Sequence, residues 1–353
     1  MTLTRVIKVN PLDKTDDHIK KAAEVLVEGG LVIIPTETVY GIAANMLNED
    51  TIARLAVIKN RPKDKPFSLH IDSLEGIEDF TREIPCLAYK LMHKFWPGPL
   101  TLILKAEGHG SIGIRMPDNE IALKIISLAG VPIVCPSANI SGKPAPVNFQ
   151  EAIRDLDGLV ELAIDSGETR FQKESSVVDL TFEPVRILRE GVIKKEQILE
   201  LVAQKTVLFV CTGNTCRSVI AQALLKKRLK EKKRDDIEVA SAGIMLLDGA
   251  GASQEAIEAL KKEGIDVFGH RAYKLTKEML QEADLILAME RVHEKRILDL
   301  YPEARKRLFL LKEFVKIDNG QLDIQDPLGG SAAFYGQTLA IIKQAVEKIS
   351  DIL

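Results

Sequence analysis

Along the 353 residues of the chain, some segments repeat hydrophobic positions with the spacing of an α-helix, and others form short apolar runs typical of buried strands. The stretch HIKKAAEVLVEGG (18–30) places apolar residues on one helical face and ends in glycines, so it predicts an amphipathic helix. The next stretch, LVIIP (31–35), is a short apolar run stopped by proline, which predicts a buried strand. The same succession of helix-like and strand-like segments recurs in both halves of the chain and predicts α/β architecture.

A change of pattern near Gln204 predicts a domain boundary. KKEQILELVAQK (194–205) reads as a helix, and the apolar strand TVLFV (206–210) begins directly after it. The chain is also longer than most single domains. We therefore expect two α/β domains, 1–204 and 205–353, each with its own core.

Composition excludes several classes of protein. The net charge is −3, from 48 Lys and Arg against 51 Asp and Glu, so bulk charge gives no argument for a nucleic-acid binder and an anion site must be a local cluster. No apolar run approaches the roughly 20 residues of a membrane span, and the start MTLTRVIKVN lacks a signal-peptide core. Four cysteines are too few for a disulfide framework. We expect a cytoplasmic protein without a membrane partner.

The stretch VLFVCTGNTCRSVIAQALL (207–225) carries the most specific chemistry. An apolar strand delivers Cys211 to a tight Gly-Asn turn, and a helix begins near Arg217. Backbone N–H groups at such a turn form an anion site, the helix end favours a thiolate, and a guanidinium holds phosphoryl oxygens with two nitrogens. The pattern predicts phosphoryl transfer to cysteine, although a bare C-x5-R also arises by chance. The Gly-Lys-Ser/Thr ending of a Walker A loop is missing, and no Cys-x2-Cys pair suggests zinc.

Further segments extend this pattern into a family resemblance. CTGNTCRS, SAG (241–243), GHRAYKLT (269–276), ADLILAM (283–289) and DPLGGS (326–331) resemble the low-molecular-weight protein-tyrosine-phosphatase family across residues 206–353. The resemblance implies a central parallel sheet flanked by helices and a reaction without a cofactor. It also implies Cys211 as nucleophile, Arg217 as transition-state clamp, and Asp326 as acid and then base. The phosphatase loop and its support would comprise Thr212, Gly213, Asn214, Thr215, Cys216, Ser218, Ser241 and His270.

Two loop residues leave alternatives open. Cys216 is either a small filler or a partner that traps oxidised Cys211 in a disulfide, and the resemblance favours the partner. Thr215 matches the protein-arginine phosphatases, whereas tyrosine phosphatases commonly carry isoleucine or leucine there. We therefore predict phosphoarginine as substrate, with phosphotyrosine as the alternative, because threonine also packs a loop and Leu328 replaces an aromatic common in bacterial relatives.

The first half presents a different set of polar groups. KNRPKDKPF (59–67) is either a solvated charge run or a clamp for a polyanion such as triphosphate. Arg115, the loop CPSANISGKPAP (135–146) and Arg189 all follow apolar strand-like runs. Polar groups at strand ends converge in α/β proteins, which favours a binding site.

Seven ordered blocks in this half resemble the YrdC-like threonylcarbamoyl-AMP synthase family over residues 5–200. The blocks are IPTETVYGIAAN, KNRPKDKPFSLHI, WPGPLTLIL, IGIRMPDN, PSANISGKPAP, ESSVVDL and ILREG. The resemblance implies a twisted α/β domain around a positively charged cavity, which condenses L-threonine, bicarbonate and ATP with Mg²⁺ to threonylcarbamoyl-AMP and pyrophosphate. ATP would contact Lys59, Arg61, Lys65, Ser111, Asn139 and Arg189. Threonine would contact Thr38, His70, Arg115, Ser137 and Ser175, and no side chain is assigned to a metal.

The whole chain is thus predicted to be a bifunctional enzyme. Its partners would be the small substrates, phosphoproteins, and possible contacts with tRNA and the tRNA-modifying transferase complex. The alternatives are an RNA-binding or carbamoyl-transfer role for the first domain and a degenerate anion-binding module for the second. Cys211, Arg217 and Asp326 are all present, which argues against degeneracy.

Overall fold

A computed structural model describes residues 3–9, 16–61, 66–81, 83–108, 110–245, 249–317 and 320–353. The chain divides into two compact units, Met1–Val202 and Ala203–Leu353. Lys65 lies outside the described residues. The functional assignment of 1–204 and 205–353 stays a prediction.

The first unit is built from strands and helices in alternation. Its strands are β1 Arg5–Lys8, β2 Val32–Ile34, β3 Gly41–Asn45, β4 Leu69–His70, β5 Leu100–Lys105, β6 Ser111–Arg115, β7 Ile133–Val134, β8 Leu162–Asp165, β9 Ser176–Asp179 and β10 Arg186–Arg189. Its helices are α1 Asp16–Val27, α2 Glu49–Ile58, α3 Cys86–Phe95, α4 Glu120–Ala129, α5 Phe149–Arg154 and α6 Lys195–Ala203, with a 3₁₀ turn at Ile77–Asp79.

These strands form one mixed sheet. In the described residues the order is β1-β8-β2-β3-β7-β4-β6-β5-β9-β10. Leu31 and Ile33 pack into one core, while Val32 and Ile34 pack into another on the opposite face. Because successive side chains of a strand point to opposite faces, this division shows that β2 is buried on both sides, as its unbroken apolar run predicts.

The second unit has its own elements. Its strands are β11 Lys205–Cys211, β12 Ile237–Gly243, β13 Leu285–Ala288 and β14 Leu308–Leu310. Its helices are α7 Arg217–Glu231, α8 Gln254–Lys262, α9 Lys277–Glu282, α10 Arg291–Leu300, α11 Leu311–Phe314 and α12 Ala332–Ile352, with a 3₁₀ segment at Pro302–Arg307.

The sheet of the second unit is parallel throughout its described strands, in the order β12-β11-β13-β14. Val207 and Phe209 face a core shared with α7 and α12, whereas Leu208 and Val210 face a core shared with α10. Helices therefore cover both faces, as a parallel sheet requires. The predicted α/β class of both units and the parallel sheet of the second are confirmed.

Local signals explain most boundaries. The helix predicted over 18–30 is α1, which ends at Val27 because Gly29 adopts a φ of 85°. The helix predicted over 194–205 ends earlier, at Ala203, because Lys205 already pairs with Ile237 in the sheet. Within the described ranges, no helix is both long and apolar enough to cross a membrane.

Candidate functional sites

The first unit encloses a cavity of about 640 Å³ at the ends of several strands. Strand pairing positions two of its side chains, because β4 and β6 are parallel neighbours and His70 lies opposite Arg115 at their carboxyl ends. Nine of the residues predicted to contact ATP or threonine line the cavity: Lys59, Arg61, His70, Ser111, Arg115, Ser137, Asn139, Ser175 and Arg189. Thr38 is buried and contacts Arg115.

Lys59 organises the loop that forms one wall of the cavity. Its Nζ donates hydrogen bonds to the carbonyl oxygens of Ser137 and Asn139 at 2.6 Å each, and to Oδ1 of Asn139 at 2.9 Å. Burial, together with the neighbouring charge of Arg61, lowers the pKa of Lys59 to about 8. The ammonium group therefore positions the 137–139 loop as well as adding charge to the cavity.

Arg61 brings a second cation to the same wall. Its Nη2 donates to the carbonyl oxygen of Pro66 at 2.6 Å, and its guanidinium lies 4.9 Å from the ring centroid of Phe67. Burial lowers the pKa of Arg61, although the group remains an arginine cation at physiological pH. These contacts fix Arg61 at the edge of the cavity.

Arg115 carries an internal carboxylate partner that the sequence analysis did not identify. Its Nη2 donates to Oε1 of Glu37 at 2.6 Å and to Oγ1 of Thr38 at 2.8 Å, and its Nε donates to the carbonyl oxygen of Gly98 at 3.3 Å. Oε2 of Glu37 is buried and has no hydrogen-bond partner within the described part of the chain. The only available signal is an acidic residue in PTET immediately after a buried strand.

Arg189, at the end of β10, also lines the cavity. Its Nε donates to the carbonyl oxygen of Ser175 at 2.9 Å, its Nη2 to Oγ of Ser175 at 3.2 Å, and its Nη1 to Glu174. Burial lowers the pKa of Arg189, and the charge of Arg115 contributes in the same direction. The two arginines therefore influence the same cavity from different strands.

His70 contributes a neutral ring to the cavity. Burial and the nearby charge of Arg115 lower the pKa of His70 to about 3. Its Nδ1 lies 3.4 Å from the carbonyl oxygen of Ser68, which favours a proton on Nδ1 and leaves Nε2 as an acceptor. His70 is thus suited to hydrogen bonding rather than to charge neutralisation.

The second unit places Cys211 at the carboxyl end of β11 and at the start of a tight loop leading to α7. The Cys211 thiol is 2% exposed, and its Sγ lies 2.9 Å from Oγ of Ser218. Gly243 ends the neighbouring strand β12, and a Cβ there would lie 2.8 Å from backbone atoms of residues 212–214. Only glycine permits this close approach of strand and loop.

Asn214 holds the loop in its curved conformation. It adopts a φ of 53°, a left-handed backbone that asparagine tolerates better than most residues. Its Nδ2 donates to Oγ of Ser218 at 2.9 Å and to Oγ of Ser241 at 2.8 Å, while its Oδ1 accepts from the Tyr273 backbone N–H at 2.9 Å. Nε2 of His270 lies 2.8 Å from the Asn214 carbonyl oxygen. The predicted support residues Asn214, Ser218, Ser241 and His270 therefore meet around one loop.

Arg217 lies beneath this loop and is 1% exposed. Its Nη2 donates to Oγ1 of Thr212 at 2.9 Å and to Oδ2 of Asp326 at 2.6 Å. Its Nη1 donates to Oε2 of Glu290 at 2.5 Å and to the carbonyl oxygen of Ile324 at 2.7 Å. The structure thus brings the predicted clamp and the predicted acid into direct contact, and it adds Glu290.

His293 is a further polar neighbour that the sequence analysis did not identify. Its Nδ1 accepts from the Glu290 backbone N–H at 3.0 Å, so a neutral ring carries its proton on Nε2 and donates to Oγ1 of Thr212 at 3.0 Å. Burial and the charge of Arg217 lower the pKa of His293 to about 4, which keeps the ring neutral at physiological pH. Sequence gives no signal for this role, because His293 is a single polar residue in an ordinary helix.

Cys216 and Thr215 face a different set of groups. Sγ of Cys216 lies 3.0 Å from Oγ of Ser253 and 3.9 Å from Oγ1 of Thr215. Burial raises the pKa of the Cys216 thiol, and it also raises the pKa of the nearby Tyr335. Leu328, two residues after Asp326, is 64% exposed.

Comparison with known proteins assigns each unit to a family. The Sua5/YciO/YrdC family model, described as "Telomere recombination", matches residues 24–191. The family model described as "Low molecular weight phosphotyrosine protein phosphatase" matches residues 206–353. The chain belongs to both families. The resemblances seen in the sequence are thereby confirmed.

Individual relatives agree with this assignment. The chain is 46% identical over 208 residues to threonylcarbamoyl-AMP synthase of Pyrococcus abyssi, covering 56% of this chain and 61% of that protein. It is 39% identical over 147 residues to protein-arginine-phosphatase of Geobacillus stearothermophilus, covering 42% of this chain and 95% of that protein. The crystal structure of P. abyssi Sua5 complexed with L-threonine matches with a TM-score of 0.54 at 29% identity, covering 87% of this chain and 99% of that one.

The chain spans about 61% of the length of the P. abyssi synthase and about 57% of that of its Bacillus subtilis counterpart.

Proposed function

We propose that residues 1–204 condense L-threonine, bicarbonate and ATP to threonylcarbamoyl-AMP and pyrophosphate. The observation that carries this proposal is the convergence of Lys59, Arg61, Arg115 and Arg189 on one cavity, in a unit similar to proteins named threonylcarbamoyl-AMP synthase. The names of these relatives favour this reaction over an RNA-binding or carbamoyl-transfer role. The product would be used to modify tRNA.

The reaction needs positioning and charge neutralisation rather than a covalent intermediate. The threonine amine and bicarbonate give a carbamate with loss of water, a carbamate oxygen attacks the α-phosphorus, and the bond to the bridging oxygen breaks as pyrophosphate leaves. Arg61 and Arg189 would offset the charge on the phosphates. Lys59 would keep the 137–139 loop in place.

Threonine would lie near Arg115, whose charge Glu37 already balances. The guanidinium would then recognise a carboxylate by directed hydrogen bonds rather than by net charge. The buried Oε2 of Glu37 still requires a donor, because leaving a buried acceptor unsatisfied costs about 1–3 kcal/mol. An ammonium or hydroxyl group of the ligand is suited to supply one.

Magnesium would enter this site bound to the ATP phosphates rather than be held by the side chains of the chain. Among the described residues, no group of three or more His, Cys, Asp or Glu side chains could hold a metal ion, and Glu174 lines the cavity beside Arg189. Bound Mg²⁺ would neutralise phosphate charge, while the cations of the chain orient the nucleotide.

The test is threonine-dependent pyrophosphate release by the full chain, with the adenylate product identified by mass spectrometry. Arg61→Ala should reduce turnover about 100-fold or more, because it removes charge neutralisation at the phosphates. Arg54→Ala is the matched control, since Arg54 pairs with Glu161 at the surface. Pyrophosphate release that needs no threonine and is unchanged in Arg61→Ala would overturn the proposal.

We infer that residues 205–353 hydrolyse phosphoproteins through Cys211, with phosphoarginine as the preferred substrate. The observation that carries this inference is the cluster at the Cys211 loop, where Sγ of Cys211 lies 2.9 Å from Oγ of Ser218 and Arg217 donates both to Thr212 of the loop and to Asp326. The thiolate attacks phosphorus, the bond to the leaving group breaks, and Asp326 supplies the proton that the leaving group takes up. Water then hydrolyses the cysteinyl phosphate with Asp326 as base.

Thr215 supports phosphoarginine over phosphotyrosine. Its hydroxyl lies 3.9 Å from Sγ of Cys216 in the same loop. A hydroxyl at this position would hydrogen-bond the guanidinium of the substrate or a water bound to it, whereas isoleucine would present apolar surface. Thr215→Ile should shift the ratio of kcat/KM for phosphoarginine and phosphotyrosine peptides toward phosphotyrosine, by about tenfold or more. Thr215→Ser keeps the hydroxyl and should keep the wild-type preference. A wild type that prefers phosphotyrosine, with the same ratio in Thr215→Ile, would support the tyrosine-phosphatase alternative.

A further inference from the structure

A second concave surface lies on the second unit, outside the Cys211 loop. It is a groove of about 560 Å³ between α7 and the segment 264–270. The residues of α7 that line it recur every three or four positions from Val219 to Lys230, so they belong to one face of the helix. Neither proposed reaction places a substrate in this groove.

The basic run KKRLKEKKR (226–234) divides into two sets of cations. One set is compensated within the second unit, by the ion pairs Arg228–Glu231, Arg228–Glu347, Lys232–Asp351 and Arg234–Asp236. The other set, Lys226, Lys227 and Lys230, is exposed and lines the groove. Within the part of the chain that the structure describes, no carboxylate forms an ion pair with these three lysines. One rim of the groove is therefore open to an anionic partner.

Apolar side chains form another part of the lining. Ala223, Ile265 and Val267 are partly buried and pack against the core of the second unit. Phe268, in the same segment, is 78% exposed. Asp266 also lines the groove, and its Oδ1 accepts from the Phe268 backbone N–H at 2.8 Å. An occupant should therefore combine negative charge with apolar groups.

The length of the groove favours a peptide over a small ion. Val219 and Lys230 are 11 residues apart on α7. This separation corresponds to about 16 Å along the helix axis, which an extended chain of about five residues would cover. A small inorganic anion at the lysines would leave the apolar part of the groove uncovered.

We propose that this groove docks a segment of a protein partner that is rich in aspartate and glutamate and carries apolar residues between them. Its carboxylates would lie against the lysine rim of α7, and its apolar side chains would lie against Ala223, Ile265 and Val267. In an extended segment with alternating acidic and apolar residues, the two kinds of side chain point to opposite sides, as these two parts of the groove require.

Two residues of the lining also support the Cys211 loop. Oε1 of Gln222 accepts from Oγ of Ser241 at 2.8 Å, and Nε2 of His270 lies 2.8 Å from the carbonyl oxygen of Asn214. A docked segment would therefore lie beside the residues that hold this loop. Docking itself does not require the phosphatase reaction, so the two are tested separately.

The experiment measures the Kd of the full chain for a fluorescein-labelled short peptide in which glutamate and leucine alternate, by fluorescence anisotropy. Wild type should bind, and binding should weaken as salt screens the lysines. Lys226→Glu combined with Lys230→Glu should raise the Kd about tenfold or more, because two attractive charges become repulsive. Lys20→Glu combined with Lys195→Glu is the matched control, since it makes the same change of net charge at exposed positions of the first unit.

Four results would overturn the proposal. They are no binding to wild type, an unchanged Kd in the groove variant, an equal loss in the control, and equally tight binding of an all-glutamate peptide of the same length. Effective competition by inorganic pyrophosphate would likewise show a general anion site instead of a peptide groove. Lys226→Gln combined with Lys230→Gln serves if the glutamate variant does not fold, and it should also weaken binding.

Discussion

Two buried arginines, Arg115 and Arg217, each have a glutamate partner inside their own site. Glu37 accepts from Arg115 and Glu290 accepts from Arg217. Removing one member of such a buried pair leaves the other charge uncompensated, at a cost of about 3–5 kcal/mol. At the scale of the residue, both sites therefore combine a cation for the ligand with a carboxylate that fixes and balances it.

Lys59 gives a pH prediction at the same scale. Its lowered pKa of about 8 means that the amine is charged below this pH and loses its proton as the pH rises through it. The KM for ATP should therefore rise on the order of fivefold from pH 7 to 9, as one cation leaves the cavity. Lys59→Met should show a high KM for ATP at every pH from 7 to 9, without this inflection. The two proteins are assayed in parallel, because any titration of the substrates themselves then affects both profiles equally. Superimposable profiles for the two proteins would exclude this role for Lys59.

At the scale of the element, the approach of β12 to the phosphatase loop requires Gly243. A Cβ at this position would press on backbone atoms, which cannot move aside as a flexible side chain can. Gly243→Ala should displace the loop, lower kcat at least about tenfold and cost about 1–3 kcal/mol of unfolding free energy. Gly251→Ala is the matched control, because a Cβ there has nothing within 4 Å. Equal rates and melting temperatures in Gly243→Ala and Gly251→Ala would show that the phosphatase loop tolerates a Cβ at residue 243.

The loop also carries a redox prediction. Peroxide should convert the Cys211 thiolate to sulfenic acid, and the Cys216 thiol should then displace water to form a disulfide that dithiothreitol reduces. After excess peroxide, dithiothreitol should therefore restore activity in wild type but not in Cys216→Ser, because without the disulfide a second peroxide oxidises the Cys211 sulfenic acid to the irreversible sulfinic acid. Cys86→Ser is the control, because it removes a cysteine of the first unit. Its phosphatase activity should recover as that of wild type does. If Cys216→Ser recovers its activity fully, Cys216 only packs the loop and does not form a disulfide with Cys211.

Local elements could be predicted from sequence, whereas tertiary partners could not. β11, the Cys211 turn and α7 follow from an apolar run, a Gly-Asn pair and a helical period, which are signals within about 20 residues. Glu37 and Glu290 are single carboxylates whose partners lie 78 and 73 residues away, and no local pattern indicates such a contact. The sequence pattern predicts that α6 extends to residue 205, whereas the helix ends at Ala203, because the sheet pairing of Lys205 overrides helix propensity.

At the scale of the whole molecule, each unit has its own hydrophobic cores and its own set of site residues. The proposed reactions share no side chain, since one uses cations around a cavity and the other a thiol in a loop. The two activities should therefore be separable by single substitutions within the intact chain.

The most direct test assays one preparation each of wild type, Arg61→Ala and Cys211→Ser for both reactions. Wild type should release pyrophosphate only with threonine, bicarbonate and ATP present, and should hydrolyse a phosphoarginine peptide. Arg61→Ala should lose the first activity and keep the second, and Cys211→Ser should show the reverse. Loss of both activities in either variant, or retention of both, would contradict the assignment of one active site to each unit.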